Sequence, residues 1–294
     1  MQIQHVKDSL PQPIRAILRQ IRTTGFFISY DLQATRVTVN SHPIFILGNQ
    51  KSGTSAIAAL LGDLTGLSVA VDLSKEVKKP TYHRVCQGQL PFSKFVQTHK
   101  LEFSKQIIKE PNLTLLYPEL RQHFPSARFV FVLRDPRDNI RSILNRLNLP
   151  GHRPQLTPAD QRTISLAWQL ILNTNGLGQG GSSYIERLAI RWNLMADVYL
   201  NHPEQMQLIR YEDFRTNKLG TLMAVAQEMG LHPCHDIRDR LDVQFQPKGN
   251  RTVDWHDFFG DRNLAKIEQL CGSRMKALNY SSSDVAPVSE EGAC

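Results

Sequence analysis

The chain has 294 residues, 41% of them hydrophobic, so it can bury a full core, and its length suits one large α/β domain. Lys and Arg outnumber Asp and Glu by 35 to 27, and the formal charge of +8 suits an anionic ligand, nucleic acid or an acidic membrane surface. Cys86, Cys234, Cys271 and Cys294 lie far apart without C-x-x-C spacing, which argues against a zinc site and a dense disulfide framework, and no apolar run is long enough for a membrane span; the expectation is a soluble, cytoplasmic protein.

Residues 1–42 predict a short helix over Ile14 to Arg22 and a β excursion near Arg36 to Val39, a segment packed on the core. "PIFILG" (43–48) is an apolar run without alternation, as in a strand buried on both faces, and Ser55 to Leu64 continues at helical spacing. The same unit recurs at "ARFVFVLRDPRDNIRSILNRL" (127–147), with a strand over Phe129 to Leu133. Its helix is marked by Asp135 as N-cap, Pro136 at the first position and Asp138 approximating a capping box. Residues 150–200 read as mainly helical, broken by the glycines of "NTNGLGQGGSS" (173–183). "MQLIRYEDF" (206–214) predicts a third strand, followed by a helix closing at Gly230. A core domain over 43–280 and a frayed polar tail over 281–294 complete the reading. Strands alternating with helices imply a three-layer α/β fold with a central parallel sheet, its ligands at the carboxyl ends of the strands.

"GNQKSGTS" (48–55) has the glycine spacing of a phosphate loop, but Thr54 stands where a nucleotide triphosphatase keeps its lysine, and Lys51 comes three places early. Backbone N–H groups at a helix start still favour an anion, and Lys51 on the crown suits the charge of a departing group. In "RDPRDNIRS", Arg134 precedes a helix N-terminus and Ser142 lies two turns along the face of Asp135, a grip for a second phosphate. The plainer alternative is that Arg134, Arg137 and Arg141 form a solvated basic face. Arg134 before Asp135 also disfavours a Walker-type magnesium site.

These two motifs, "QKSGTS" and "FVFVLRDPRDNIRS", in this order and about eighty residues apart, resemble the sulfotransferases that use 3′-phosphoadenosine 5′-phosphosulfate (PAPS). "RYEDF" (210–214) resembles the family's third segment, and the likeness covers roughly residues 43 to 260. It implies a P-loop NTPase-like sulfotransferase fold and transfer of a sulfuryl group from PAPS to a hydroxyl or amine, without a metal. By this resemblance Lys51, Ser52, Gly53, Thr54 and Ser55 bind the 5′-phosphosulfate and Arg134 with Ser142 the 3′ phosphate. Tyr211 seats the adenine side. "QPKGNRTVDW" (246–255) is similar to the family's late R-K-G-x-x-G-D-W loop, offering Lys248, Gly249 and Arg251, although Pro247 replaces the first arginine and the spacing is one residue longer.

Small-molecule sulfotransferases place a basic histidine in a K-T-H segment, which here reads Lys109-Glu110-Pro111. The segment is closer to the K-D-P of tyrosylprotein sulfotransferases, whose base is a glutamate about twenty residues after the first loop. That spacing makes Asp72 the first choice for the base and Glu76 the second, with Lys109 as a partner to Lys51 on the transferring group. His99 is the third candidate for the base, although a lone "QTHK" is expected to face solvent, and Glu110, before a proline, is expected to be structural. The competing classes are a P-loop kinase and a non-catalytic sulfotransferase-like binding protein. Nucleic acid is disfavoured by the lack of a zinc finger, RNP motif or dense basic stripe. Acceptor walls are expected from residues 73–105 and 150–190, with a small molecule, glycan or lipid as acceptor. Neither the acceptor nor the oligomeric state is legible.

Overall fold

The computed structural model describes residues 12–173, 177, 180–245 and 253–281. Five strands, β1 (Ile44–Gly48), β2 (Val69–Val71), β3 (Ile107–Lys109), β4 (Arg128–Leu133) and β5 (Gln207–Arg210), form one sheet in the order β2-β3-β1-β4-β5. Every pairing is parallel. All five carboxyl ends therefore open on one edge.

The helices used below are α1 (Gln12–Ala34), α2 (Thr54–Thr65), α3 (Ser74–Lys78), α4 (Pro136–Leu147), α5 (Tyr184–Asn201), α6 (Tyr211–Thr216), α7 (Lys218–Glu228) and α8 (Trp255–Ala277). A 3-10 turn, Pro111–Leu116, follows β3. The apolar runs of β1 and β4 are continuous because both faces of the sheet are covered. Phe45 and Leu47 with Phe129, Phe131 and Leu133 pack into one helical layer, while Ile44, Ile46, Val130 and Val132 pack into the other. The three-layer expectation holds.

Four local readings change. The N-terminal helix runs to Ala34, well beyond Arg22, and residues 36–39 form no strand. The third strand stops at Arg210, and Tyr211 opens a helix with Glu212 and Asp213 in its first turn, where acidic side chains favour the positive end of the dipole. Asp135 caps α4 by accepting from the Arg137 N–H at 2.9 Å, but no capping box closes: the Asp135 N–H donates to Glu212 at 2.9 Å, and Asp138 turns to Arg141. The strands β2 and β3 are additions that sequence periodicity did not predict. The predicted tail from residue 282 onward lies outside the described residues, as do parts of the glycine-rich stretch after Asn173.

Candidate active site

The β1 exit carries the phosphate-type loop. Gly48 and Gly53 adopt φ of 133° and 95°, and Lys51 itself is left-handed at 66°. A methyl group on Gly48 would lie 2.4 Å from the Val132 carbonyl oxygen, and one on Gly53 would lie 2.3 Å from the Tyr211 ring. Glycine is required at both for space as well as for φ. Asn139 of α4 fixes the loop from below, donating to the Gln50 carbonyl at 2.8 Å and to Ser52 Oγ at 3.0 Å, and accepting from Asn49 Nδ2 at 2.9 Å. Ser52 is thereby buried under the loop, whereas Lys51, Gly53, Thr54 and Ser55 line the cleft above it.

The β4 exit carries the second basic motif. Arg134 is buried, donates from Nη1 to the Lys51 carbonyl at 2.8 Å, and lies 4.6 Å over the Tyr211 ring. Its own carbonyl accepts from Trp192 Nε1 of α5 at 2.9 Å. Arg134, Ser142 and Tyr211 all line the same cleft as Lys51. The solvated basic face is therefore wrong: Arg137 and Arg141 are also buried. Arg137 makes a forked pair with Asp135, binds Glu268 at 2.7 Å and stacks on Trp255, while Arg141 binds Asp138 at 2.6 Å and the Val253 carbonyl. These carboxylates raise the Arg137 guanidinium against the lowering effect of its burial. Trp255, from the late loop, donates to Asp138 at 2.9 Å. Lys248, Gly249 and Arg251 lie outside the described residues.

The β2 and β3 exits bring Asp72 and Lys109 together. The Lys109 ammonium is buried and bonds Asp72 Oδ1, while the Asp72 side chain stays 38% exposed, open to an incoming group. Glu110 beside them is buried and lines the cleft. Burial, and after it the charge of Asp72, pushes its carboxyl up to about 7. Glu76 is buried and accepts from His99 Nε2 at 3.0 Å, Thr81 Oγ1 at 2.6 Å and the N–H groups of Thr81 and Tyr82. Burial alone would raise its carboxyl, but those hydrogen bonds outweigh it and hold it low. His99 is fully buried against Glu76 and Phe95, which corrects the solvent-facing expectation.

Sequence reasoning missed the support between these ends. Arg191 of α5, fully buried, donates from Nη2 to Gln50 Oε1 at 2.9 Å and to Asn112 Oδ1 at 2.8 Å, and Gln50 Nε2 donates to the same Asn112 oxygen at 2.9 Å. Only a tertiary fold juxtaposes residues 50, 112 and 191; no local pattern announces them. The shared cleft holds about 620 Å³, with Val77, Trp168 and Ile171 on the acceptor-side segments that the sequence indicated. Among the described residues no cluster of His, Cys, Asp or Glu has the arrangement of a metal site, and no helix is long and apolar enough to cross a membrane.

A parallel sheet whose neighbouring strands β1 and β4 each run into a basic loop at a helix start is an α/β architecture suited to an anionic ligand at the strand ends. A model of the sulfotransferase family matches residues 67–236, more than half the chain. The chain belongs to the sulfotransferase family. The matched span includes the Arg134 motif and begins after the Lys51 loop. A Caenorhabditis elegans chain assigned by name to the protein-tyrosine sulfotransferases is 22% identical over 172 residues, 55% of this chain and 60% of that one. This chain thus spans about 60% of the length of that curated relative. Among solved structures, a mouse sulfotransferase complexed with PAP (adenosine 3′,5′-bisphosphate) is 13% identical, covering 83% of this chain and 88% of that one at a TM-score of 0.46. A sulfotransferase from Alicyclobacillus acidocaldarius is 15% identical, covering 79% and 96% at 0.42.

Proposed function

We propose that the protein transfers the sulfuryl group of PAPS to a hydroxyl or amine of an acceptor, working in the cytoplasm as a single core domain over residues 43–280. The observation that carries this reading is the contact between the two anion sites: Arg134 reaches the Lys51 carbonyl, and both residues line one cleft. A doubly phosphorylated nucleotide has the chemistry for such a pair of sites. The residues present fit it, with N–H groups at the start of α2 free of any Cβ at Gly53, a basic 3′ side at Arg134 with Ser142, and Tyr211 stacked between the loops.

PAPS, when bound, supplies an activated sulfuryl group with a phosphate leaving group. Lys51, with the loop N–H groups through Ser55, holds the 5′ end and offsets charge that develops on departure. Asp72 takes the acceptor's proton. Both acids line the cleft, but the partial exposure of Asp72 supports it over Glu76, which is buried and whose oxygens already accept four hydrogen bonds. Lys109 holds Asp72 in place and adds positive charge beside the transferring group. Lys248, Gly249 and Arg251 are assigned to cofactor closure through the resemblance of their loop.

In the test, Lys51→Ala lowers turnover of PAPS with a screened acceptor by about 10²–10³-fold, and calorimetry shows a much smaller change in PAP affinity. Equal turnover in the two proteins removes Lys51 from its role. A kinase reading is less well supported because Thr54 lacks the charge that a triphosphate needs at that place.

A further inference from the structure

Glu110 is a buried carboxylic acid of the cleft that the mechanism above leaves without a task, and unlike Glu76 it sits directly beside the Asp72–Lys109 pair. Its Oε1 accepts from the Asn112 N–H at 3.0 Å and its Oε2 from the Leu73 N–H at 3.3 Å. Leu73 follows Asp72, whose left-handed backbone (φ 65°) is the turn out of β2, and Asn112 carries the side chain that meets Gln50 and Arg191. One carboxyl therefore ties the exit bearing Asp72 to the exit bearing Lys109, and through Asn112 to the phosphate-type loop.

The same position poses an electrostatic problem. Asp72 and Glu110 are two acids against the single ammonium of Lys109, and Glu110 is only 5% exposed. Two carboxylates sharing a poorly solvated site cannot both ionise freely, and the less exposed one keeps the proton. Among the described residues, Tyr82, from the helix spanning residues 82–86, and Arg191 of α5 also act on this cluster. Burial raises the Tyr82 phenol, so it stays neutral through the physiological range, and Arg191 meets the cluster through the neutral amides of Gln50 and Asn112.

We propose that Glu110 is a positioning residue that stores one proton beside Asp72, so that the two acids together carry a single negative charge, balanced by Lys109, when the acceptor arrives. The proposal rests on the reading of Asp72 as the base. With Glu110 neutral, Lys109 is left to pair with Asp72, the more exposed member, alone. When Asp72 takes the acceptor's proton its repulsion of Glu110 ends, the pair holds two protons, and one leaves to solvent along the exposed edge of Asp72. The resting state with one proton is restored.

The test is infrared titration of the full chain between about pH 5 and 9, following the carbonyl stretch of protonated carboxyl groups in wild type, Glu110→Gln and Asp72→Asn. Wild type should lose a protonated-carboxyl band with a midpoint near neutrality. Glu110→Gln should lack that band, and Asp72→Asn should keep it with a midpoint lowered by about one unit or more. Identical band changes in wild type and Glu110→Gln, or an unmoved midpoint in Asp72→Asn, overturns the proposal. Should Glu110→Gln fail to fold, the Asp72→Asn arm decides alone, because that side chain is partly exposed. Calorimetry with PAP on the wild type separates the two levels: absent binding with an intact coupled titration removes the sulfotransferase reading and upholds the shared proton.

Discussion

At the scale of single residues, the site is a set of charges whose burial decides their states. Glu110 carries the clearest consequence for stability. Its folded value near 7 lies above the ordinary carboxyl value of 4.5, so between these limits the folded protein binds more protons than the unfolded chain. Its contribution is fully present below the lower value and disappears as pH rises through the upper one. Urea unfolding should accordingly show wild type losing stability relative to Glu110→Gln from about pH 5 to pH 8. Parallel profiles for the two proteins would contradict the raised acid. Glu76 behaves oppositely: its low carboxyl favours the folded state above the ordinary value and withdraws that support in acid. At this scale the sequence exposed Lys51, Asp72, Lys109 and Arg134 because each sits in a short motif or at a fixed distance from one. It did not expose Glu110, Gln50, Asn112 or Arg191, since a pre-proline glutamate or a mid-helix arginine has no local mark of the partners it meets.

At the scale of elements, the α4 N-terminus is where fold and site share parts. Asp135 caps the helix, forks onto Arg137, and places Arg134 at the strand end. Asp135→Ala removes the cap and half of the carboxylate shell around a buried guanidinium, leaving Arg137 with Glu268 and the Ser281 carbonyl. The expected loss is about 2–4 kcal/mol in urea unfolding, well beyond the effect of a surface aspartate. A loss under about 0.5 kcal/mol would mean that the cap and pair contribute little. The strands β1 and β4 were legible because five or six apolar residues in a row admit few readings. The strands β2 and β3 were not, because each has three residues and owes its form to pairing with a neighbour far away in sequence. The end of β5 was misread for a related reason: "IRYEDF" is apolar enough for a strand, but Glu212 is drawn into a helical turn beneath the Asp135 N–H.

At the scale of the molecule, the order of the strands gathers five exits on one edge, and each contributes to the cleft: Lys51 after β1, Asp72 after β2, Lys109 ending β3, Arg134 after β4 and Tyr211 after β5. That convergence was predictable in kind from strand and helix alternation, and the pairing of the first and second motifs followed from their order. What covers the cleft from the acceptor side depends on α3 and on residues 165–171, segments without a motif, so the acceptor's identity could not be read from them. The central claim is that this one cleft grips a nucleotide by two separate phosphates. Thermal unfolding with and without ligand tests it most directly. At about a hundred times its Kd, PAP should stabilise the wild type by about 2.7 kcal/mol, Arg134→Ala should lose most of that gain, and ATP with magnesium should give little. Stabilisation by ATP with magnesium and none by PAP would contradict the account.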